Sequence, residues 1–318
     1  MRESNNQMSK VPTKILLEDA MKRDYAIGAF AISNMEQIES IVEAASICRS
    51  PLIIMISKKS LKYSKYLAYL IDAVIKENPG IPIAMHLDHS QNFDQCREVI
   101  DFGFSSVMID GTFNEEGKPS SFDYNLELTK KVVDYARKFG VSVEGEIGFI
   151  GGKEDDMEID GQRFTDPQKV EEFVEYTGVD ALAVSIGNSH GLNKFVGEQQ
   201  LRFDILAEIN KRIPKTPLVL HGASSLPEKY IQKIKEYGGS LHQVKGVPIE
   251  QIKKSIKLGI KKVNIYTDIT LCMIAELREF LLKKPEVIDP REYLGTCRDE
   301  IVKLVSNKMM EFGSVDKI

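Results

Sequence analysis

Short apolar runs rich in β-branched residues alternate along the chain with longer amphipathic, charged stretches. This alternation is typical of repeated βα units, in which helices cover both faces of a parallel sheet. Eight runs have the length and composition of buried parallel strands, and eight such units predict a closed (β/α)₈ (TIM) barrel of the α/β class. The predicted strands are residues 25–32, 51–56, 81–87, 105–109, 141–147, 181–186, 217–220 and 262–265.

Capping signals indicate where helices lie between these runs. Ser225 and Glu228 have the spacing of a capping box around Pro227, which predicts that a helix begins there. Several glycines stand just before a predicted strand, where a helix commonly ends in a left-handed residue. They are Gly103, Gly140, Gly178 and Gly259.

One domain is predicted, because 318 residues fit a single α/β barrel and no linker or internal repeat divides the chain. The domain spans residues 1–318, and about 269–318 form a C-terminal helical extension broken by Pro285 and Pro290. Amphipathic helices beyond those that close a barrel predict either a cover on the barrel or a contact between subunits. We therefore expect a homo-oligomer, either a dimer or a tetramer.

The formal net charge is −5, from 42 basic and 47 acidic residues, which argues against a nucleic-acid partner and favours a small molecule. No apolar run reaches the roughly 20 residues that span a bilayer, and the N-terminus lacks the apolar segment of a signal peptide. The cysteines form no CxxC pair, so neither a disulfide framework nor a thiolate metal site is indicated. We expect a cytoplasmic protein with no membrane partner.

Three of the five histidines stand at or just past the ends of the third, sixth and seventh predicted strands. In (β/α)₈ barrels the carboxyl ends of the strands meet at one mouth, where catalytic groups collect. His89, His190 and His221 therefore predict an open zinc site with one position free for water or substrate. Each histidine alone is more simply a hydrogen-bonded polar residue, but three at one mouth favour a metal. His86, inside the third strand, is expected to support the site rather than to bind the metal.

Carboxylates stand beside two of the predicted strand ends. Asp88 precedes His89, and it either relays a proton near the metal or orients an imidazole; the sequence leaves both roles open. The fifth strand ends near Glu146, which is expected to be fixed, and a glycine-rich stretch, 148–152, follows it. Such a stretch is typical of a mobile active-site loop, on which Glu154 either acts as a base or belongs to an acidic surface.

Small residues follow the sixth, seventh and eighth predicted strands in the segments 190–194, 221–224 and 264–268. Such residues expose backbone N–H groups, and the loops after the last two strands are the usual phosphate site of this fold. Each glycine can instead serve only a tight turn. The pattern predicts a phosphorylated small molecule as the ligand.

Ordered motifs run along nearly the whole chain, and together they resemble the class II, zinc-dependent fructose-bisphosphate aldolases, in the shorter branch with a C-terminal helical extension. The resemblance implies a lyase of glycolysis that reversibly cleaves fructose 1,6-bisphosphate to dihydroxyacetone phosphate and glyceraldehyde 3-phosphate. The segments that carry it are 28–30 with Asn34, 86–89, 106–111, 141–156, 183–194, 218–227, 245–248, 262–268 and 289–291.

The resemblance also implies roles for the candidate residues. The three strand-end histidines would bind Zn²⁺, with Glu146 beside the metal at a second metal position. Asp88 would handle the proton on the hydroxyl or aldehyde oxygen, and Glu154 would exchange the carbon-bound proton. A monovalent cation, Na⁺ or K⁺, is implied near Gly191 and Gly222. The implied substrate-binding and phosphate-binding residues are Asn34, Ser57, Gly191, Lys194, Gly222, Ser224, Asn264, Thr267 and, from a neighbouring subunit, Arg291.

Tyr266 is the largest departure from the family pattern. Fructose-bisphosphate enzymes of this type carry Asp there and related tagatose-bisphosphate enzymes a small residue, so this position affects substrate specificity. Two alternatives follow: an aldolase for tagatose 1,6-bisphosphate or another phosphorylated ketose, and a non-catalytic phosphosugar-binding protein. A zinc hydrolase has less support, because such barrels present an HxH pair in the first strand and this chain has no histidine there.

Overall fold

The computed structural model describes residues 9–114, 116–154, 157–159, 163–192, 194, 200–242 and 244–318, without the side chains of 153, 154 and 157–159. The strands are β1 (Ile27–Ala31), β2 (Leu52–Ser57), β3 (Ile83–Ser90), β4 (Ser106–Ile109), β5 (Ser142–Ile147), β6 (Gly151–Glu154), β7 (Met157–Ile159), β8 (Ala181–Val184), β9 (Ser189–His190), β10 (Leu218–Leu220) and β11 (Ile260–Ile265). The helices are α1 (Thr13–Lys22), α2 (Met35–Cys48), α3 (Lys58–Tyr63), α4 (Tyr66–Glu77), α5 (Phe93–Phe102), α6 (Phe122–Ala136), α7 (Val170–Thr177), α8 (Phe203–Arg212), α9 (Glu228–Glu236), α10 (Ile249–Lys257), α11 (Thr267–Lys283) and α12 (Pro290–Phe312), with a 3₁₀ turn at Arg137–Phe139.

The main sheet is a closed parallel barrel with the strand order β1-β11-β10-β8-β5-β4-β3-β2. It closes where β1 pairs with β11, with Ala29 opposite Asn264. Each predicted strand overlaps one strand of this barrel, so the predicted (β/α)₈ fold is confirmed.

Side chains on the two faces of the barrel strands fill two apolar clusters. Ile27 and Ala29 of β1 belong to the cluster inside the barrel, whereas Phe30 belongs to the cluster between the strands and the helices. This alternation is the period of two that a strand imposes. Leu17 of α1 joins the inner cluster, and α1 lies at the amino ends of the strands. Because α1 covers the amino ends of the strands, a ligand-binding site is expected at their carboxyl ends.

Helix boundaries agree with the glycine signals and with the predicted start of a helix at Pro227, but the predicted capping box is wrong. α9 begins at Glu228 with Pro227 as its N-cap and without a side-chain cap hydrogen bond. Leu226 has a left-handed φ of 50°, which turns the chain before the helix, and the Ser225 hydroxyl accepts a hydrogen bond from Lys308 instead. The glycines with positive φ before barrel strands are, as predicted, Gly103, Gly140, Gly178 and Gly259.

Helices α11 and α12 form the C-terminal extension. α12 packs on α2 and α11, where it buries Ile301 and Val305 in the outer core. The N–H of Ala26, just before β1, donates to the carbonyl of Phe312 at 3.0 Å, which ties the helix end to the barrel. Because these contacts join the extension to the barrel, we propose that 1–318 is one domain, while the contact between subunits stays a prediction. None of the helices in the described ranges has both the length and the apolar character needed to cross a membrane.

Candidate active site

A small three-stranded sheet stands at the carboxyl end of the barrel. Its central strand β6 pairs antiparallel with β7 and parallel with β9, with Gly152 opposite His190. Gly152 has a φ of 98°, and a Cβ there would lie 2.4 Å from the His190 carbonyl oxygen, so this pairing requires glycine. The glycine-rich stretch is thus paired with the strand that carries His190. Glu154 ends β6, but its side chain lies outside the described part of the chain, and its role stays a prediction.

β3 contains a bulge at its carboxyl end, where Asp88 and His89 are adjacent. Residues 87–90 of β3 face only 107–109 of β4, which leaves one extra residue on β3. His89 has a φ of 44°, a left-handed conformation that residues other than glycine seldom adopt. Neighbours in a regular strand point to opposite faces. The bulge therefore allows the side chains of both Asp88 and His89 to face the barrel mouth, whereas in a regular strand only one of them could.

The three predicted metal ligands meet at the barrel mouth. One nitrogen from each of His89, His190 and His221 lies within 4.8 Å of the other two. Nε2 of His89 is 2.6 Å from Nδ1 of His221, and the ring centroids of His89 and His190 are 5.2 Å apart. The rings stand nearly perpendicular to one another, with interplanar angles of 83°, 85° and 86°. Three converging imidazoles from separate parts of the barrel are the donor set of an open zinc site.

The carboxylate of Glu144 holds His221 in one tautomer. Its Oε1 lies 2.8 Å from Nε2 of His221, so Nε2 carries the proton and Nδ1 keeps its lone pair. Lys262 donates to Oε2 of the same carboxylate at 2.7 Å and lies 3.3 Å from Nε2 of His86. Nδ1 of His86 lies 2.8 Å from the hydroxyl of Ser106. This buried network inside the barrel directs Nδ1 of His221 to the other two imidazoles.

Burial sets the protonation of these rings. Desolvation lowers the pKa of His190 and His221 well below the usual value. Burial, followed by the charge of Lys262, does the same to the pKa of His86. An imidazole must be neutral to bind a metal. The buried environment therefore disfavours the protonated form that would compete with a metal ion.

A second group of donor atoms shares His89. One atom from each of His89, Asp110 and Glu146 lies within 4.8 Å of the other two. Nδ1 of His89 is 3.8 Å from Oδ2 of Asp110, and the backbone N–H of Thr112 donates to Oδ1 of Asp110 at 2.9 Å. Glu146 thus lies beside the imidazoles, where a carboxylate near the metal was expected, and Asp110 adds another.

A cavity of about 240 Å³ opens beside the imidazoles. Its wall contains most of the residues expected to bind substrate. Ser60 and Thr270 line it as well, although no sequence motif indicated them. The predicted residues found in the wall are Ser57, Asp88, His190, Gly191, Lys194, Gly222, Ser224, Asn264, Tyr266 and Thr267.

Two polar contacts shape this cavity. Nζ of the buried Lys194 donates to Oγ1 of Thr267 at 3.1 Å, in the first turn of α11. Asn264 donates through Nδ2 to Oδ1 of Asp88 at 3.3 Å, and its own Oδ1 has no hydrogen-bond partner within the described residues. An ammonium, a helix N-terminus and an open acceptor suit a ligand that carries both an anionic group and hydroxyls.

Two residues expected to bind substrate lie outside the cavity wall. Asn34 caps α2, where its Oδ1 accepts from the N–H of Gln37 at 3.0 Å. Arg291 stands at the start of α12, where its side chain is 89% exposed and pairs with Asp289 at 2.6 Å. Capping accounts for Asn34 without a ligand, and the exposed position of Arg291 is compatible with the expected contact to another subunit. Both binding roles stay predictions.

Sequence patterns missed Glu144, Lys262 and Asp110. Glu144 and Lys262 are charged residues inside apolar strands, and this pattern could have identified them, because a buried charge must have a buried partner. Glu144 stands two residues before Glu146 and therefore on the same face of β5. Its pairing with Lys262 joins β5 to β11, which are not neighbours in the barrel. No local pattern contains that contact.

Comparisons with known proteins agree with this geometry. A family model described as "Fructose-bisphosphate aldolase class-II" matches residues 11–317. A protein named fructose-bisphosphate aldolase from Treponema pallidum is 42% identical over 97% of this chain and 97% of its own. Another of that name from Giardia intestinalis is 43% identical over 94% and 91%. The crystal structure of the YdjI aldolase from Escherichia coli K12 has a TM-score of 0.76 at 26% identity, over 96% of this chain and 98% of that one.

Proposed function

Because the chain belongs to the class II fructose-bisphosphate aldolase family, we propose that it reversibly cleaves fructose 1,6-bisphosphate to dihydroxyacetone phosphate and glyceraldehyde 3-phosphate. It is a lyase of a metal-dependent family. The observation that carries the proposal is the meeting of His89, His190 and His221 beside a cavity whose wall includes Asp88. Breaking a carbon–carbon bond in a ketose requires stabilisation of the negative charge on one product and a base for the other.

The donor set fits zinc. Zn²⁺ is bound by imidazole nitrogen, whereas Mg²⁺ and Ca²⁺ prefer oxygen ligands. Because Nε2 of His221 donates its proton to Glu144, Nδ1 of His221 keeps a lone pair that can bind a metal, and it faces Nε2 of His89. We therefore infer that His89, His190 and His221 hold the zinc. When bound there, zinc supplies a Lewis acid that stabilises the negative charge left by cleavage.

Asp88 is proposed to take the proton of the C4 hydroxyl as the bond between C3 and C4 breaks. Its buried carboxylate lines the cavity and accepts a hydrogen bond from Asn264 at 3.3 Å. A base must lie within roughly 2.6 to 3.2 Å of the oxygen that it deprotonates, and a residue next to the ligand His89 is suited to that. Of the two roles open for Asp88, the geometry supports proton transfer. Loss of this proton turns C4 into the aldehyde of glyceraldehyde 3-phosphate.

Glu154 is proposed to deliver a proton to C3 of the other product. The electron pair of the broken bond stays on this half, so protonation at carbon completes dihydroxyacetone phosphate. The strand β6 that ends at Glu154 runs beside His190, with which Gly152 is paired. Segments rich in glycine often move between open and closed positions in enzymes. The position of the β6 backbone beside His190 supports a role for Glu154 at this site.

The phosphate group of the dihydroxyacetone half is proposed to bind in the cavity wall near the first turn of α11. Backbone N–H groups of glycine-rich loops and of helix N-termini bind anions, and the ammonium of Lys194 adds a positive charge. A monovalent cation, Na⁺ or K⁺, is expected beside Gly191 and Gly222. Arg291 of a second copy is proposed to bind the other phosphate in a homo-oligomer. The proposed contacts are Ser57, Gly191, Lys194, Gly222, Ser224 and Thr267.

Tagatose 1,6-bisphosphate is the second candidate substrate. Tyr266 lines the cavity and is 46% exposed, so a bulky phenol stands at the position that varies between the fructose and tagatose enzymes. The two ketoses differ only in configuration at C4, which is a carbon of the cleaved bond. Family membership and the assembled histidines favour an aldolase over a non-catalytic phosphosugar-binding protein.

A coupled assay of dihydroxyacetone phosphate release tests the proposal on fructose 1,6-bisphosphate, tagatose 1,6-bisphosphate and the corresponding 1-phosphates. The highest kcat/KM for fructose 1,6-bisphosphate supports the proposed function, and a higher value for tagatose supports the second candidate. His190→Ala is expected to abolish release. The exposed His242, which pairs with Ser240, supplies the matched control His242→Ala. Tight binding of every ketose without release from any would contradict both candidates.

A further inference from the structure

A buried carboxylate that the proposed reaction does not use lies behind the phosphate-binding wall. Asp268 is 0% exposed and follows Thr267 in the first turn of α11. Its Oδ2 accepts from the backbone N–H of Ser225 at 3.1 Å, and its Oδ1 accepts from that of Leu226 at 2.7 Å. Asp268 therefore joins the first turn of α11 to the loop that carries Ser224.

Lys308 of the C-terminal helix α12 neutralises this carboxylate. Its side chain is 3% exposed, and its Nζ lies 3.4 Å from Oδ2 of Asp268. The same Nζ donates to the hydroxyl of Ser225 at 2.7 Å and lies 3.1 Å from Oε2 of Glu311. Removing one partner of a buried ion pair leaves the other charge uncompensated. Lys308 thus compensates the charge of Asp268 and contacts Ser225, one of the residues that Asp268 binds.

The segment 245–247 connects the loop that carries Ser224 to the loop that carries Lys194, which is also proposed to bind phosphate. The carbonyl of Lys245 accepts from the backbone N–H of Lys194 at 2.8 Å. The N–H of Val247 donates to the carbonyl of Ser224 at 3.1 Å. Hydrogen bonds on the side away from the cavity therefore hold the two loops and the first turn of α11 in place. Asp268 is the charged residue of this hydrogen-bond network.

The loop that Asp268 holds has a strained backbone. Leu226 has a φ of 50°, a conformation that costs free energy for a residue with a branched side chain. Anion binding by backbone N–H groups depends on the positions of those groups, so a loop that relaxes binds phosphate less well. The hydrogen bond from Leu226 to Asp268 opposes this relaxation, and it depends on where the carboxylate is held.

We propose that Lys308 is a positioning residue for phosphate binding, which it supports through Asp268 and Ser225 from outside the cavity. Lys308 is not among the described residues that line the cavity, so it acts without touching the substrate. The inference rests on the proposed function, because it takes the wall around Ser224 and Thr267 as the phosphate site. The C-terminal extension thereby contributes to substrate affinity through α12.

The test compares Lys308→Met and Ser225→Ala with the unaltered enzyme. Lys308→Met keeps the length of the side chain and removes its charge, whereas Ser225→Ala removes only the hydroxyl that Lys308 contacts. The measurements are the inhibition constant of inorganic phosphate, KM and kcat for the bisphosphate substrate, and zinc content. Lys303, which is 69% exposed on the same helix and paired with Glu300, supplies the matched control Lys303→Met.

For Lys308→Met, KM and the inhibition constant of phosphate are expected to rise together by about 10- to 100-fold, which is the effect of losing one hydrogen bond to a charged group. Zinc content and kcat are expected to stay near those of the unaltered enzyme, and Lys308→Arg to recover most of the phosphate affinity. Ser225→Ala is expected to change the same two constants in the same direction, and it tests the inference if Lys308→Met does not fold.

Unchanged phosphate affinity in Lys308→Met, or in Ser225→Ala where the former does not fold, would overturn the inference and leave the proposed function intact. A loss of zinc and kcat in proportion to phosphate affinity would also overturn it, because that pattern indicates general damage. If inorganic phosphate does not compete with substrate in the unaltered enzyme, the proposed phosphate site is wrong and this inference is wrong with it.

Discussion

Oε1 of Glu144 and Nε2 of His221 lie 2.8 Å apart inside the barrel. A carboxylate only accepts hydrogen bonds, so the imidazole must donate and its other nitrogen must carry the lone pair. Lys262 occupies the second oxygen of the same carboxylate at 2.7 Å. The orientation of a proposed metal ligand is therefore set by an ion pair whose two residues are not among the described residues that line the cavity.

Glu144→Gln is expected to weaken zinc binding by about 10- to 100-fold, as changes to the hydrogen-bond partner of a metal ligand do. The ammonium of Lys262 attracts the single amide oxygen, which turns the amide NH₂ toward Nε2 of His221. The tautomer with its proton on Nδ1 is then favoured, and Nδ1 no longer binds metal. Competition with a chromophoric chelator measures the change.

Glu250→Gln is the matched control, because Glu250 is 78% exposed on α10 and forms a surface ion pair with Lys253. Its zinc affinity is expected to equal that of the unaltered protein. Equal zinc affinity in Glu144→Gln and Glu250→Gln would contradict the role assigned to Glu144.

Asp88→Asn is expected to lower kcat by about 10²- to 10⁴-fold, because an amide cannot take the proton from the C4 hydroxyl. Zinc content is expected to stay the same, since Asp88 does not belong to the group of three imidazoles proposed to hold the metal. Steady-state kinetics and metal analysis measure the two effects separately. Asp94→Asn, at a 78% exposed position of α5, is the control. A kcat for Asp88→Asn close to that of the control would show that another group takes this proton.

Gly222→Ala is expected to destabilise the fold by about 1–3 kcal/mol, as residues forced into a rare backbone conformation do. Gly222 has a φ of 58°, and a Cβ there would lie 2.4 Å from the carbonyl oxygen of Ser189, next to His190. Urea denaturation measures the free energy of unfolding. Gly295→Ala, in α12 with no atom within 4 Å of its added Cβ, is expected to be neutral or stabilising by up to about 1 kcal/mol. The same stability for both variants would refute the steric argument.

Tyr266→Asp is expected to raise the ratio of kcat/KM for fructose 1,6-bisphosphate over tagatose 1,6-bisphosphate by about tenfold or more, which corresponds to roughly 1.4 kcal/mol. The phenol stands in the cavity wall, and an aspartate there restores the residue of the fructose enzymes that it resembles. Tyr63→Asp, at a 79% exposed position of α3, controls for the added charge. A ratio that moves equally in both variants would remove Tyr266 from the account of specificity.

The barrel and its histidines could be predicted from the sequence because both follow local rules. Apolar runs define the strands, and the ends of parallel strands meet at one mouth, which brings His89 to His190 and His221. The bulge at His89 could not be predicted, because it depends on how β3 and β4 pair and on a φ of 44° that sequence patterns disfavour for histidine.

Contacts between distant elements were the other part that the sequence did not reveal. Ser225 has the spacing of a helix cap, but its hydroxyl is bonded to Lys308, 83 residues away. Glu144 and Lys262 pair across the barrel interior over a separation of 118 residues. In both cases the tertiary contact determines the role of the residue, and capping or strand alternation describes only its neighbourhood.

The central claim is that zinc on His89, His190 and His221 is required for cleavage, and metal removal followed by reconstitution tests it most directly. The purified protein is expected to contain about one zinc per chain. Removal of the metal with a chelator is expected to abolish the release of dihydroxyacetone phosphate from fructose 1,6-bisphosphate, and added zinc is expected to restore it. Undiminished cleavage by the metal-free protein, or full recovery in His190→Ala, would contradict the account.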